Sequence, residues 1–346
     1  MFGRLSRVFL LTLAGLLAAL GAQAADKVRV GTIGSSSDAG LYVAEGKGFF
    51  KAEGLEVELT VFDAAAKMIA PLGTGDLDVG SGAASAGLYN AASQHVGIKI
   101  VADRGRMAPG YSYQTIMIRK DLIDSGKFKS YADLKGLKIA LAAPGVSAGS
   151  VINEAAKKGG IKFADVERVY LGFPAQVAAL ANKGLDGSIM VEPFATQAVD
   201  QGSGVRFASS EDVYPNDQIS EVFYGEKFAT QRKDVALRFM KAYIRALRAY
   251  NDVLASGRIA ATPQGQAVAK MVADAIKLPV EQVKRIYSQA VDPDGKVNVA
   301  SLEKDLDYFK TVSGEVTDKA VTVEQLLDMS FVDAAVKALG PYKPAK

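Results

Sequence analysis

The sequence has 346 residues, 49% of them hydrophobic and 23% charged, and its formal net charge is +3. This composition fits a globular chain long enough for two domains, and it argues against a disordered chain or a basic nucleic-acid-binding protein. The chain has no cysteine and one histidine, which argues against disulfides, thiol catalysis and metal or other cofactor chemistry.

The first 24 residues have the pattern of a secretory signal peptide. Arg4 and Arg7 precede an apolar run from Val8 to Leu20, and Ala22-Gln23-Ala24 matches a cleavage site. The run is short for a membrane span, and no longer apolar run follows it. Because no cysteine is available to carry a lipid anchor, we expect a freely diffusing periplasmic protein.

Short apolar strands alternate with helical stretches along the rest of the chain. Leu55–Phe62 is the clearest strand, with an apolar residue at every second position. Other strands are predicted at Val28–Ile33, Ile98–Ala102, Lys138–Ala142, Val169–Leu171, Ser188–Val191 and Val205–Ala208. The alternation predicts an α/β fold with mainly parallel sheets and helices on both faces.

Two helices and a weak internal repeat add to this prediction. Pro174 and Gly184 delimit one helix, and the longest helix is predicted over about Gln231–Ala255. Leu72–Val79 and Leu180–Gly187 both run from a helix end through Leu-Asp into a strand. This similarity indicates two related α/β lobes, although a helix stop that recurs by chance gives the same pattern.

Four loops rich in glycine and serine follow predicted strands and precede helices. They cover residues 34–40, 80–85, 144–150 and 172–176. Because ligands bind beyond the carboxyl ends of strands in open α/β sheets, these loops are candidate ligand contacts. Helix starts offer free backbone N–H groups and serine hydroxyls add donors, which favours a small anion. A serine at a helix start is also a common helix cap, so a structural role is the alternative.

Aromatic and charged side chains form a second group of candidates. Tyr42 and Phe173 are candidates for stacking on a ring, with burial in a core as the alternative. Arg104 and Arg106 follow a predicted strand and are candidates for pairing with an acidic ligand, although a solvated surface position is the commoner one. Glu192 lies in the turn after another predicted strand and is included as a contact.

Residues 145–149 read Gly-Val-Ser-Ala-Gly between a strand and a helix, which is the context of a nucleophile elbow. A hydrolase that uses Ser147 also needs a base. The one histidine, His95, precedes Ser147, whereas that hydrolase fold places its histidine after the serine. The residue three positions on is Ser150, so no Ser-x-x-Lys motif is present. We therefore expect no enzyme, and a secreted serine hydrolase is the less favoured alternative.

Four segments resemble the nitrate/sulfonate/taurine-type substrate-binding proteins of ABC importers and their thiamine-pyrimidine-binding, NMT1/THI5-like relatives. Leu41–Val57 is similar to the alanine-rich helix, the Gly-Phe-Phe turn and the strand near the start of those proteins. Gly75–Gly80, Ala132–Ala140 and the tail at Asp328–Tyr342 follow in the family's order. The resemblance covers nearly all of the chain after the signal peptide.

The resemblance implies a type II periplasmic-binding-protein fold, in which two α/β lobes close over a ligand cleft. Lobe 1 would comprise residues 27–112 and 221–346, and lobe 2 residues 113–220, with hinge segments near Tyr113–Arg119 and Glu221–Phe228. The ligand contacts that it implies are Ser35, Ser36, Ser37, Gly82, Ala83, Ser85, Ser147, Ala148, Gly149 and Ser150, to which the candidates above add Tyr42, Arg106, Phe173 and Glu192.

The function that the resemblance implies is capture of a small ligand by a monomer and delivery of that ligand to the permease of an ABC importer. The donor-rich loops favour a small organic anion such as a sulfonate or carboxylate. A neutral heteroaromatic of thiamine-pyrimidine type, stacked by Tyr42 or Phe173, is the alternative ligand. Eukaryotic relatives that make this pyrimidine depend on a cysteine-rich segment, which the chain lacks.

Overall fold

The computed structural model describes residues 24–344 and contains two five-stranded sheets flanked by helices. The chain is therefore the mixed α/β protein that the alternation predicts. The predicted signal peptide lies outside the described residues, apart from Ala24. Within residues 24–344, no helix is both long and apolar enough to cross a membrane.

The first sheet consists of β1 (Asp26–Thr32), β2 (Leu55–Val61), β3 (Val79–Gly82), β4 (Ile98–Arg106) and β10 (Gln218–Gly225). These strands lie in the order β2-β1-β3-β10-β4. β1 is parallel to β2 and β3, whereas β10 is antiparallel to both β3 and β4. Four strands therefore share one direction, and β10 runs against them.

The second sheet consists of β5 (Gln114–Arg119), β6 (Lys138–Leu141), β7 (Glu167–Tyr170), β8 (Gly187–Val191) and β9 (Gly204–Ser209). Their order is β7-β6-β8-β5-β9. β6 is parallel to β7 and β8, and β5 is antiparallel to β8 and β9. The prediction of mainly parallel sheets is confirmed, since each sheet contains one antiparallel strand. A two-stranded hairpin of β11 (Leu254–Ala255) and β12 (Arg258–Ile259) lies apart from both sheets.

Helices connect most of these strands. They are α1 (Ala39–Gly46), α2 (Phe49–Ala52), α3 (Ile69–Thr74), α4 (Ala86–Ser93), α5 (Lys120–Asp124), α6 (Ala148–Lys158), α7 (Phe173–Ala181), α8 (Phe194–Asp200), α9 (Glu226–Gln231), α10 (Lys233–Asn251), α11 (Pro263–Ile276), α12 (Val280–Arg285), α13 (Val299–Thr311) and α14 (Ser330–Leu339). α10 is shorter than predicted at both ends. Arg232 has a non-helical backbone that separates α10 from α9, and Leu254 and Ala255 pair with β12 instead of continuing the helix.

Each sheet has its own apolar core, which holds its strand ends in place. We call each sheet with the helices packed on it a unit. In the first unit, Phe239 and Tyr243 of α10 pack with Leu41 of α1 and with residues of β1. In the second unit, Ile118 of β5 and Ile152 of α6 lie in a separate cluster. Each sheet thus packs mainly on helices of its own unit.

The chain passes between the two sheets twice. Residues 107–113 connect β4 to β5, and residues 210–217 connect β9 to β10. The segments predicted as hinges, Tyr113–Arg119 and Glu221–Phe228, instead lie mainly in β5 and in β10 with the start of α9. Each of these strands is antiparallel to the strands on both of its edges.

Candidate ligand-binding site

A cavity of about 60 Å³ lies between the two sheets. The parallel strands reach it with their carboxyl ends, and the antiparallel β5 and β10 reach the same edge with their first residues. The first unit, which includes β10, lines it with Ile33, Ala64, Ala65, Ala83, Arg104, Ile219 and Ser220. The other wall consists of Tyr113, Gln114, Ala142, Val146, Ser147, Ala148, Phe173, Ile189 and Val191.

The lining is mostly apolar, with a small number of convergent polar groups, which is how small-molecule sites are generally built. The volume exceeds what a single water needs and is less than half of the roughly 150 Å³ of an apolar cavity that accepts benzene. In this closed arrangement the cavity therefore suits a ligand of a few heavy atoms.

A buried ion pair forms the charged part of the cavity. Arg104 lines the wall and is 3% exposed, and its Nε and Nη2 donate to Oδ1 of Asp38 at 3.0 and 2.7 Å. Burial disfavours the charge of Arg104, but the Asp38 carboxylate outweighs it and raises the arginine pKa. The interpretation of Arg104 as a solvated surface residue is therefore wrong, because β4 continues past it into the interior.

The serines of the first loop bond mainly to one another and not to the cavity. Ser35 Oγ lies 2.6 Å from Ser37 Oγ and 3.1 Å from the hydroxyl of Tyr113. Ser36 Oγ donates to the carbonyl of Glu192 in the second unit, at 3.4 Å. All three serines are buried, and none of them lies on the cavity wall. Their hydroxyls organise the loop around Asp38 and join the two units.

The start of α6 contributes directly to the cavity. Ser147 and Ala148 lie on the wall, as the sequence predicts, and so do Ala83 after β3 and Phe173 at the start of α7. Phe173 also stacks on Phe194, with ring centroids 5.4 Å apart. The next two residues of α6 face away from the cavity towards α13: a Cβ at Gly149 would overlap Tyr308, and Ser150 faces Asp305.

The remaining predicted contacts have other positions. Tyr42 lies in the core of the first unit, where burial and Asp38 raise its pKa. Ser85 accepts a hydrogen bond from the backbone of Leu88 and caps α4. Gly82 packs against the side chain of Ala65, and a Cβ at position 82 would overlap the Cβ of Ala65. These three residues do not lie on the cavity wall.

Arg106 and Glu192 also lie off the wall. The backbone of Arg106 pairs with Ala290, and neither residue lines the cavity. Glu192 is fully buried, and burial raises its pKa although Arg206 opposes this from 2.6 Å. Its carboxylate also accepts the backbone N–H of Tyr287 at 3.3 Å, so that it links the second unit to the first.

The polar residues that the antiparallel strands bring to the cavity were not predicted from the sequence. Gln114 is the first residue of β5, and Ser220 lies near the start of β10. Because they precede or begin their strands, a search of loops that follow strands does not reach them. The available signal was a pair of polar residues directly before an apolar run, as in Gln114-Thr115-Ile116-Met117.

The two units are in contact around the cavity. The backbone N–H of Ala86 donates to the carbonyl of Gly145 at 2.8 Å, within a bridge between Ser85 and Val146. On another side, the guanidinium of Arg285 lies 2.5 Å from a carboxylate oxygen of Asp200. The two units therefore touch on at least two sides of the cavity.

The catalytic constituents of a serine hydrolase do not come together at Ser147. Ser147 is buried at the start of α6, whereas His95 is exposed in the turn after α4, with a left-handed backbone. Among residues 24–344, no group of three or more histidine, aspartate or glutamate side chains is arranged to hold a metal ion.

Two units of this topology that close over a buried cavity define the periplasmic-binding class of folds. The NMT1-like family model matches residues 21–272, and the chain belongs to that family. A Brucella abortus (strain 2308) protein that carries the name of a binding protein is 30% identical over 225 residues. The match covers 63% of this chain and spans 64% of the length of that relative.

Solved structures share the fold at low sequence identity. The alkanesulfonate-binding protein SsuA from Xanthomonas axonopodis pv. citri, bound to MOPS, has a TM-score of 0.67 at 18% identity, covering 89% of this chain and 99% of its own. The desulfurization enzyme DSZB has a TM-score of 0.62 at 16% identity, covering 91% and 99%. The type II binding-protein fold is thus confirmed, and it occurs in binding proteins and in an enzyme.

Proposed function

We propose that the chain is a solute-binding protein that captures a small organic anion and delivers it to an ABC-type importer. The observation that carries the proposal is a guanidinium on the wall of a closed, mostly apolar cavity between two units. The family membership and the secretory pattern at residues 1–24 support it, since both suit a protein that collects a solute outside the cytoplasm. The partner would be the membrane permease of that importer, engaged by a monomer.

Arg104 supports the anionic ligand class. A guanidinium has five N–H donors, and Asp38 accepts from two of its nitrogens, so further donors remain for a ligand. An anion that enters the closed cavity loses its hydration shell and needs such donors. The serine-rich loop, which suggested the same class, supports it only indirectly, because its hydroxyls bond within the protein.

Closure of the two units over the cavity would enclose a ligand, which supports capture of the ligand and not adsorption on the protein surface. A ligand shifts the equilibrium between open and closed states only through its higher affinity for one of them. In the closed state the ligand contacts both walls, and interunit contacts such as Ala86 with Gly145 form at the same time. The closed shape is then the signal by which a permease distinguishes loaded from empty protein.

A neutral ligand is the second candidate, and a specific observation favours it. Asp38 already balances the charge of Arg104, and most of the wall is apolar, including the ring of Phe173. A neutral molecule with one hydrogen-bonding edge avoids the cost of burying a charge. The volume of about 60 Å³ favours a small molecule over a heteroaromatic ring in the arrangement described.

Thermal unfolding against a matched panel tests the proposal. The panel pairs acetate, propionate, methanesulfonate and ethanesulfonate with uncharged amides of similar size, and adds nitrate and a pyrimidine. A ligand at 100 times its dissociation constant adds about 2.7 kcal/mol, which raises Tm by several degrees. We expect shifts with anions alone; shifts with the amides alone would favour the neutral class.

A charge-balanced variant separates the two classes further. Asp38→Asn with Arg104→Gln removes both charges together and so avoids an unpaired buried ion. We expect this double variant to lose the anion-induced shift, whereas a neutral ligand would still bind. The control pair is Asp294→Asn with Arg248→Gln, an ion pair at 2.6 Å remote from the cavity, which should leave the shifts unchanged.

The enzymatic alternative has its own test. DSZB shares the fold, so the fold alone does not separate binding from catalysis. A hydrolase that used Ser147 would lose turnover of ester substrates in the Ser147→Ala variant. We expect no hydrolysis by the parent protein, and measurable ester turnover that disappears in this variant would contradict the proposal.

A further inference from the structure

Two polar side chains on the cavity wall have buried atoms without a partner. The side-chain carbonyl of Gln114 and the hydroxyl of Ser220 form no hydrogen bond with any part of residues 24–344. Gln114 is 4% exposed and Ser220 is 2% exposed. Buried polar groups are nearly always hydrogen-bonded, because leaving one unpaired costs the desolvation of that group. Two residues of the cavity wall thus carry polar atoms that the rest of the protein leaves without a partner.

The two groups lie on opposite walls. Ser220 of β10 is paired with Gly105 of β4, the residue after Arg104, and Ser220 and Arg104 both line the cavity. Gln114 starts β5 in the second sheet, paired with Val191, which also lines the cavity. The ligand therefore meets one polar position on the Arg104 side and another across the cavity.

The chemistry of each position differs. Arg104 and Ser220 together offer several N–H donors and a hydroxyl, which suits an anionic head group. The amide of Gln114 offers a donor and an acceptor at one end, so its complement is a group that also donates and accepts. A hydroxyl is the smallest such group, and an amide is the next. A cavity of about 60 Å³ leaves room for little more than these two groups and a short apolar link.

We infer that Gln114 selects ligands that carry a hydroxyl or amide in addition to the anionic head, so that the ligand class is short hydroxy acids or hydroxysulfonates. This inference rests on the proposed function and names its substrate class. A plain alkyl anion fills the same space but leaves the Gln114 amide unpaired. A site that has to hydrogen-bond a substrate group discriminates strongly against the analogue that lacks it.

Calorimetric titration of the full mature chain with matched pairs tests this inference. The pairs are propionate with 3-hydroxypropionate and ethanesulfonate with 2-hydroxyethanesulfonate. We expect the hydroxylated member to bind at least tenfold more tightly in each pair. Gln114→Met keeps similar volume without the amide, so it should weaken the hydroxylated member, favour the plain one and bring the ratio close to one.

Two further variants check the assignment of the walls. Ser220→Ala should weaken both members of a pair by a similar factor, because Ser220 is assigned to the shared head group. Gln264→Met, at an exposed position of α11, should leave both affinities and their ratio unchanged. Circular dichroism and the melting temperature establish that each variant is folded.

The outcomes of these titrations distinguish the selectivity assigned to Gln114 from the proposed anion-binding function. Equal binding of both members by the parent chain, or an unchanged ratio in Gln114→Met, would overturn the inference while the anion-binding function stands. Binding of neither member, together with no shift from any anion in the thermal panel, would overturn the proposed function and the inference with it.

Discussion

At the scale of single residues, the two segments of the internal repeat, Leu72–Val79 and Leu180–Gly187, form equivalent hydrogen bonds. Asp78 precedes β3 and accepts the backbone N–H of Arg29 in β1 at 2.9 Å, and the guanidinium of Arg29 at 2.8 Å. Asp186 precedes β8 and accepts the backbone N–H of Lys138 in β6 at 2.9 Å. In both units an aspartate thus connects the start of one parallel strand to its neighbour, which supports the prediction of two related α/β lobes.

Removal of this aspartate should destabilise the protein. We expect Asp78→Ala to lower the free energy of unfolding by about 2 kcal/mol, because it leaves a strand N–H without its acceptor and breaks an ion pair whose aspartate is buried. Denaturant unfolding measures the loss. The control is Asp76→Ala in the same turn, where the side chain is exposed. An equal loss in both variants would contradict the role given to Asp78.

At the scale of elements, α6 and α13 meet across the two units. The α6 start lines the cavity with Ser147 and Ala148, and the following turn packs on α13. Lys304 of α13 lies 3.0 Å from Glu154 of α6. Gly149 is required at the contact, since a Cβ there would overlap the hydroxyl of Tyr308. The glycine that was predicted as a ligand contact therefore sets how closely the two helices approach.

Substitution of Gly149 should impair closure. We expect Gly149→Ala to weaken ligand binding at least tenfold and to increase the radius of gyration of the ligand-bound protein in X-ray scattering. The reason is that Tyr308 is buried, so its ring and hydroxyl have to shift to admit the added methyl group. Tyr308→Phe removes the overlapping hydroxyl, so the double variant should recover much of the affinity. Failure of this rescue would argue that Gly149 acts locally within α6.

At the scale of the whole molecule, four buried carboxyl groups surround β10 and its neighbours: Asp103, Asp217, Glu221 and Asp305. Burial raises the pKa of Asp103 and of Asp305 to about 7, and it raises the pKa of Asp217 and Glu221 as well. Asp305 faces Ser150, Tyr214, Lys304, Glu154 and Asp217. The folded protein therefore holds protons that the unfolded chain releases near pH 4.

This arrangement predicts greater stability at pH 5 than at pH 8. An acid whose pKa is raised by folding binds its proton more tightly in the folded state, so its stabilisation is complete below about pH 4 and is lost as the pH rises towards 7. We expect Tm to fall by several degrees between pH 5 and pH 8. Acids with lowered pKa, such as Asp121 and Asp133, titrate below this window and do not reverse the trend.

Two matched variants on α13 test whether Asp305 contributes to the fall in Tm between pH 5 and pH 8. Asp305→Asn replaces the carboxyl by a group that stays neutral, so it should reduce the fall in Tm over this range. Asp307→Asn, an exposed position of the same helix, should leave the fall unchanged. A Tm that rises with pH, or the same fall in both variants, would contradict the assignment to Asp305.

The sequence by itself determined the fold class, the family and part of the cavity. Alternating strands and helices place loops at one edge of each sheet, and chain direction alone puts Ala83, Ser147, Ala148 and Phe173 at that edge. The short motifs from Leu41 onward are local in the chain and therefore readable without a structure.

The tertiary structure alone decided that Gln114 and Ser220 reach the cavity and that Arg104 is buried there beside Asp38. Arg104, Gln114 and Ser220 reach the cavity because β4 continues inward and because β5 and β10 enter their sheets antiparallel, and both depend on pairing with strands distant in sequence. Asp38 likewise gathers Ser35, Ser81 and Arg104 around itself. Local patterns specify the elements, but hydrogen bonds between distant segments decide which side chains remain available to bind.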